Sequence, residues 1–193
     1  MKTVSLAERL ADHTEQLILD AAVRLLESTA VAELTIRAVA QRAHISERTV
    51  FRYFATREAF LDAVAAEVSR RFELPTSPDS IAGLVDFPDA LYRRFEANSA
   101  LTRAALHSEL FDRMLNAPAR QRWLAIGKLI DAHAPRRSER ERRFAAANIR
   151  HFLSATTWHY YRFYFGFSLD DTIECAKTAI RQAVAGLENG RRK

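Results

Sequence analysis

The side chains in this sequence best suited to chemistry are cations and small polar groups, and they gather in one short stretch. Glu47, Arg48, Thr49 and Arg52 lie within six residues. An arginine donates two parallel hydrogen bonds to a guanine edge, a carboxylate accepts from cytosine, and a threonine hydroxyl suits several partners. Such a set can read bases if it stands on one face of a helix that enters a major groove. Around it, between residues 34 and 57, Arg37, Arg42, Arg48, Arg52 and Arg57 accompany the single acid Glu47, a local charge of +4. Residues 1–60 as a whole balance eight cations against eight acids, and the full chain of 193 residues carries only +5. The charge is therefore focused into a stripe, as polyanion binding requires. A solvated helix face can look the same, so the elements beneath must decide.

Those elements are helical. Leu17, Ile18, Ala21, Ala22, Leu25 and Leu26 form one apolar stripe, which predicts a helix capped by Thr14 and running to about Thr29. Thr35 caps a second, short helix, with Leu34 and Val39 at the flanking apolar positions of a hydrophobic staple. It ends near Ala43. Ser46 caps a third, again between staple residues Ile45 and Val50, and ending near Phe54. Thr56 caps a fourth, whose apolar face is Leu61, Val64, Ala65 and Val68. Two short helices joined by Ala43-His44-Ile45 make a helix-turn-helix. Val50 and Phe54, four apart, turn inward and leave Glu47, Arg48, Thr49 and Arg52 outside. Thr35, at a helix start, offers backbone N–H groups to a phosphate, and Arg57 adds a second clamp.

The stretch from Leu34 to Phe60, LTIRAVAQRAHISERTVFRYFATREAF, resembles the DNA-binding domain of TetR/AcrR-type bacterial transcriptional regulators. Helix order and total length agree with that family too. The resemblance implies an all-α fold with a three-helix head at 1–56 and a helical ligand-binding and dimerisation body at 57–193, of which 57–74 is a connecting helix. It implies that Glu47, Arg48, Thr49 and Arg52 face bases, and that Thr35, Arg37, Tyr53 and Arg57 contact the DNA backbone. His44 stands where the family usually has Gly, in a turn that wants a positive φ. Phe51 stands where it usually has Tyr, which keeps the aromatic packing and removes one hydroxyl. Arg57 stands where it often has Lys.

Beyond residue 74 three prolines (Pro75, Pro78, Pro88) mark a linker, with a short helical turn possible at 81–85. Helices are expected at 89–98, 100–116, 118–133, 138–166 and 168–188, with Pro118 opening one after Asn116-Ala117 and Gly166 closing another. Leu169, Ile173, Ala176, Ile180, Ala183 and Leu187 recur at spacings 4, 3, 4, 3, 4. That seam suits helix pairing between two chains, or closure of the chain's own core. Candidate ligand-pocket residues are Phe95, Leu106, Phe111, Met114, Trp123, Phe152 and Trp158, and ordinary core is the alternative for each. His151 and His159 are joined by no carboxylate at ligand spacing, so no metal site is expected. Neither is a cofactor. The lone Cys175 excludes an internal disulfide and is expected to be inert.

These features lead to a homodimeric DNA-binding repressor, released from a palindromic operator by a small apolar or amphipathic effector. A ligand-independent regulator or activator is the alternative. An all-helical enzyme is a third class, disfavoured because no Ser/His/Asp set, glycine-rich phosphate loop or pair of catalytic acids is found. No run of about 18 apolar residues occurs. The acidic, weakly apolar start does not read as a signal peptide, so a cytoplasmic location away from membranes is expected. The basic run Arg136–Arg150 and the tail Arg191-Arg192-Lys193 carry no assigned role.

Overall fold

Apolar residues recur at helical spacing along most of the chain, and the computed structural model is all-α among the residues it describes, 5–28, 34–107, 110–115 and 118–189. The helices are α1 (Leu6–Ser28), α2 (Ile36–Arg42), α3 (Glu47–Tyr53), α4 (Arg57–Phe72), α5 (Ile81–Ala97), α6 (Ser99–Leu106), α7 (Leu110–Leu115), α8 (Pro118–His133), α9 (Glu139–Phe152), α10 (Ala155–His159) and α11 (Leu169–Asn189). A π-helical turn, Tyr160–Tyr164, follows α10. The Asn116-Ala117 turn, the helix end expected at Thr29 and the tail Arg191-Arg192-Lys193 lie outside the described residues.

The chain divides into two units. The first holds residues up to Arg71 together with Ala100–Met114, and the second holds Phe72–Ser99 and the residues from Leu115 onward. Nearly all of α4 thus groups with the first unit, as do most of α6 and of α7. The division does not fall at residue 56.

In the first unit, α1 packs on α2 and α2 on α3. Ile18, Ala22, Val23, Val39, Val50, Leu61, Val64 and Val68 are fully sealed from solvent. Phe54 and Phe60 meet edge to face at 5.6 Å. α1 and α4 are tied by charge. Glu67 is buried and accepts from Arg70 Nε at 2.8 Å, Arg71 Nε at 2.7 Å and the Gln16 amide at 3.2 Å. Arg71 also pairs with Asp20 of α1. On α7, Arg113 pairs with Asp62 of α4.

The second unit is built on α5, α8, α9 and α11, with α11 packed on α5 and α9 and α8 packed on α9. Leu91, Ile126, Ile149, Leu153 and Trp158 centre its core. The Trp158 indole N–H donates to Glu96 at 3.0 Å, and Arg162 donates to both oxygens of the same carboxylate. The Tyr92 hydroxyl, fully buried, donates to the Phe152 carbonyl, and burial pushes its pKa up.

Several boundaries differ from the expectation. Thr14 caps nothing: α1 starts upstream, where Leu, Ala, Glu and Arg favour helix, and the Thr14 hydroxyl donates back to the Leu10 carbonyl at 2.9 Å. Residues 81–97 form one helix with Pro88 inside it. A proline there removes a hydrogen bond and crowds the carbonyl four residues back. Burial of Leu84, Phe87, Leu91 and Phe95 on one face outweighs that cost. The helix expected over 138–166 breaks at Leu153, because Ser154 caps a new start by accepting from Thr157 N at 3.2 Å. Thr56, Pro118 and Ser168 stand at helix starts as expected.

The Glu67 cluster gives a pH signature. The Arg70 guanidinium above all, with Arg71 and Gln16, holds this carboxyl down to about 2 against the opposing push of burial. Its ordinary value is 4.5. The ion pairs therefore stabilise the fold fully above about 4.5, and this stabilisation fades as pH falls through about 2. Glu67→Gln is expected to lower stability at pH 7 by about 2 kcal/mol, less than for a sealed pair because Arg70 stands in solvent. It should also flatten the acid decline of the thermal midpoint between pH 4.5 and 2. Parallel pH profiles for both proteins would show that Glu67 does not link α1 to α4.

Candidate nucleic-acid interface

The geometry of the basic stripe starts at the end of α2. The Ile45 N–H donates to the Ala40 carbonyl at 3.0 Å and the His44 N–H to the Gln41 carbonyl at 3.2 Å. This crossed pair is the Schellman closure of a helix, and it places the intervening residue in the left-handed region. His44 takes that position at φ 55°. A glycine would adopt it without strain; histidine tolerates it better than most residues. The chain then reverses directly into α3. Ser46 caps α3 by accepting from Thr49 N at 3.1 Å, and Thr35 caps α2 by accepting from Ala38 N at 3.1 Å.

α3 has seven residues and could not persist alone. It is held by Val50, which is fully buried, and by Phe54 just beyond its end. Burying a valine contributes on the order of 1.5–3 kcal/mol. Fixing these two inward leaves Glu47, Arg48, Phe51 and Arg52 exposed and Thr49 half-exposed. Ser46, Arg48, Thr49, Phe51 and Arg52 line a shallow surface groove.

The electrostatics of this face set it apart. Arg37, Arg42, Arg48 and Arg52 form no ion pair among the described residues, whereas Arg70, Arg71 and Arg113 of the same unit all pair with carboxylates. The Arg52 guanidinium lies 5.3 Å from the centre of the Tyr53 ring, which orients it without neutralising it. Glu47, in the first turn of α3, complements the helix dipole. The Thr49 hydroxyl sits 2.8 Å from Ser46 Oγ and is engaged locally. Thr35 and Arg57 are exposed at the starts of α2 and α4. The unit thus brings Thr35, Arg37, Glu47, Arg48, Thr49, Arg52, Tyr53 and Arg57 into one head.

Phe51 corrects an expectation. It was expected to preserve aromatic packing, but it is 47% exposed beside Arg48 and Arg52. Its spacing of three from Arg48 is the signal that could have placed it outside. An exposed ring there can meet thymine methyl groups.

The body residues fall differently. Of the candidate pocket residues, Phe95 and Trp158 are packed core with rings 5.9 Å apart. Trp123 and Phe152 are partly buried against that core. Leu106, Phe111 and Met114 are half-buried and belong to the first unit. The stripe on α11 lies in the chain's own core. Ile173, Ala176, Ile180 and Leu187 are buried within the chain's own core, and Leu169 and Ala183 pack against it. α5 and α9 pack against this face. Apart from Leu124 and Phe144, the large apolar side chains that the second unit leaves exposed form one aromatic cluster: Tyr160, Phe163, Tyr164, Phe165 and Phe167, with Tyr160 and Tyr164 stacked at 4.6 Å. No helix among the described residues is long and apolar enough to cross a membrane.

Comparison with known proteins places this geometry. Residues 18–64, which run from α1 through α3 into α4, match the family described as bacterial regulatory proteins, tetR family. The HTH-type transcriptional regulator BetI of Burkholderia thailandensis is 28% identical over 109 residues, 56% of this chain and 50% of that protein. The chain thus aligns with about half the length of this curated relative. Two solved structures share the fold. A tetR-family transcriptional regulator from Streptomyces coelicolor superposes with a TM-score of 0.59 at 15% identity, over 91% of this chain and 80% of the other. A TetR variant from Acinetobacter baumannii AYE, in complex with minocycline, superposes with a TM-score of 0.54 at 18% identity, over 91% and 97%.

The turn itself is testable. His44→Gly should leave stability unchanged or raise it by up to about 1 kcal/mol, because glycine meets no steric cost at positive φ. His44→Val should lose about 1–2 kcal/mol, since a β-branched residue is strained there. Chemical denaturation measures both, and equal losses would contradict the strain account.

Proposed function

We propose that this chain, a TetR-type transcriptional regulator by its residues 18–64, acts as a homodimeric repressor. It occupies a palindromic operator and leaves it when a small apolar or amphipathic ligand binds the second unit. The observation that carries the DNA reading is the outward face of α3, where Arg48 and Arg52 stand exposed without an ion pair among the described residues. Arg48, Arg52, Glu47 and Thr49 read base edges in the major groove. Arg37, Tyr53 and Arg57 hold phosphates, and Thr35, whose hydroxyl caps α2, presents its helix start to another.

A two-fold operator calls for two heads, with recognition helices about 34–36 Å apart. The exposed aromatic cluster from Tyr160 to Phe167 supports a second copy as the partner, since an apolar patch of this kind on one chain usually marks an interface. The ligand acts by binding more tightly to a state in which the heads have another spacing, and the shift is limited by that difference in affinity. The protein works where the DNA is, in the cytoplasm.

Two experiments test this reading. Binding to the DNA upstream of the protein's own coding region, against scrambled DNA, is measured across a salt series. Arg48→Ala should lose about 1–3 kcal/mol on the specific site and little on scrambled DNA. Arg57→Ala should weaken both alike and reduce the salt slope by about one. Equal losses for Arg48→Ala on both DNAs would remove it from base reading. In sedimentation, the wild type should have the mass of two 22.0 kDa chains. Tyr164→Asp combined with Phe165→Asp should shift it to one. A variant that stays dimeric would move the interface elsewhere.

A further inference from the structure

Two arginines of the second unit lack what their neighbours have. Its other half-buried arginines pair with carboxylates: Arg137 with Glu141, Arg142 with Asp131 and Arg162 with Glu96. Arg122 of α8 and Arg150 of α9 pair with none among the described residues. The Nε of Arg122 is sealed from solvent and has no hydrogen-bond acceptor among the described residues; Arg142 Nε is sealed too but lies 2.7 Å from the Asp131 carboxylate. Its guanidinium lies 5.9 Å from the centre of the Phe87 ring on α5. Arg150 makes one bond, from Nη1 to the Leu153 carbonyl at 3.1 Å.

The position is costly without a partner. An arginine that only covers apolar surface keeps its head in water, yet here a donor is withdrawn from it. Burial, with repulsion from Arg150 added, pushes Arg122 down to about 10, and burial also lowers Arg150. Two like charges sharing a desolvated region disfavour the fold unless an anion lies with them. A guanidinium fork matches a carboxylate in two parallel hydrogen bonds. Phe87, beside the Arg122 guanidinium, is buried in the core of the second unit, and Trp123 of α8 packs half-buried against the same core.

We infer that Arg122 and Arg150 together hold the carboxylate head of an amphipathic small molecule, whose apolar body rests on Phe87, Trp123 and the neighbouring apolar side chains of the second unit. This names the chemical class of the effector and rests on the reading that the second unit takes one. Two nearby apolar walls and two cations select a molecule with one oxyanion and one hydrophobic end. A neutral isostere would leave both charges as they are, and a cation would add a third.

The full-length protein is titrated with straight-chain alkanoates from hexanoate to dodecanoate and with ω-phenylalkanoates. The matching amides and amines, and inorganic phosphate, are run beside them. Binding is read by thermal midpoint and by the fluorescence of Trp123 and Trp158. At least one acid should bind saturably and raise the midpoint. Its amide should bind about tenfold or more weakly, and its amine weaker still. Arg122→Gln and Arg150→Gln should each weaken the acid about tenfold or more while leaving DNA affinity without ligand unchanged. Arg122→Met should raise the midpoint of the ligand-free protein, because it removes a buried charge that nothing neutralises. Amides that bind as well as acids, or both glutamine variants binding acid unchanged, overturn the inference. So does a ligand-free Arg122→Met protein of lower midpoint, which would make the arginine structural. Phosphate binding as tightly as the best acid overturns the amphipathic part. Selective DNA binding with no acid bound sinks this inference and spares the regulator. Acids that bind through both arginines without altering DNA affinity sustain the site and sink effector control.

Discussion

The inward anchoring of α3 by Val50 and Phe54 is the constraint on which the functional face depends. A seven-residue helix has too few internal hydrogen bonds to offset its nucleation cost. It exists because these two side chains are buried, and the same burial fixes its rotation. Were the pair displaced by one position, the cations of α3 would turn toward the core and the face would disappear. The closure at His44 and the cap at Ser46 are subordinate to this. They bring the chain to the right starting point, but they do not decide which side of α3 meets water.

Charge in this protein falls into two kinds, separated by partners rather than by residue type. Arg70, Arg71, Arg113, Arg142 and Arg162 are matched to acids, and all but Arg70 thereby join one helix or turn to another. Arg37, Arg42, Arg48 and Arg52 are matched to nothing described and stand in water, where a lone cation costs little. Arg122 belongs to neither kind: it is matched to no acid among the described residues, and its Nε is withdrawn from water. Composition records all of these alike as positive charge. Only the placement of acids around them tells paired cations from unpaired ones.

What the sequence revealed was mostly local. Caps at Thr35, Ser46 and Thr56 depend on a few neighbouring residues, so spacing alone could find them, whereas the positive φ of His44 was suggested by the family resemblance. The direction of Val50 and Phe54 followed from helical period. Longer-range facts were hidden. The period of α11 showed that one face is apolar but not whose core it enters, and the answer was the chain's own. Pro88 looked like a boundary because its local cost is visible in sequence and the compensating burial of α5 is not. Ser154 was passed over inside a long apolar run, although Thr157 three residues on completes its cap. Arg122 sits at a spacing of four from Ile126 and eight from Ile130. Its place on a core-facing side was legible, but its want of an acid was not.

The first unit is not a contiguous length of chain. It takes residues up to Arg71 and then Ala100–Met114, with α5 threaded between them as part of the other unit. During synthesis the segment carrying α2 and α3 leaves the ribosome early, yet its unit is complete only once Met114 has emerged. By then α5 is exposed without α8, α9 or α11 to cover its buried face. The first unit is therefore not complete before part of the second has been synthesised, and the nascent chain carries an open apolar helix through that interval. A protein built this way trades easy modular exchange of its head for a covalent path that crosses between the units three times.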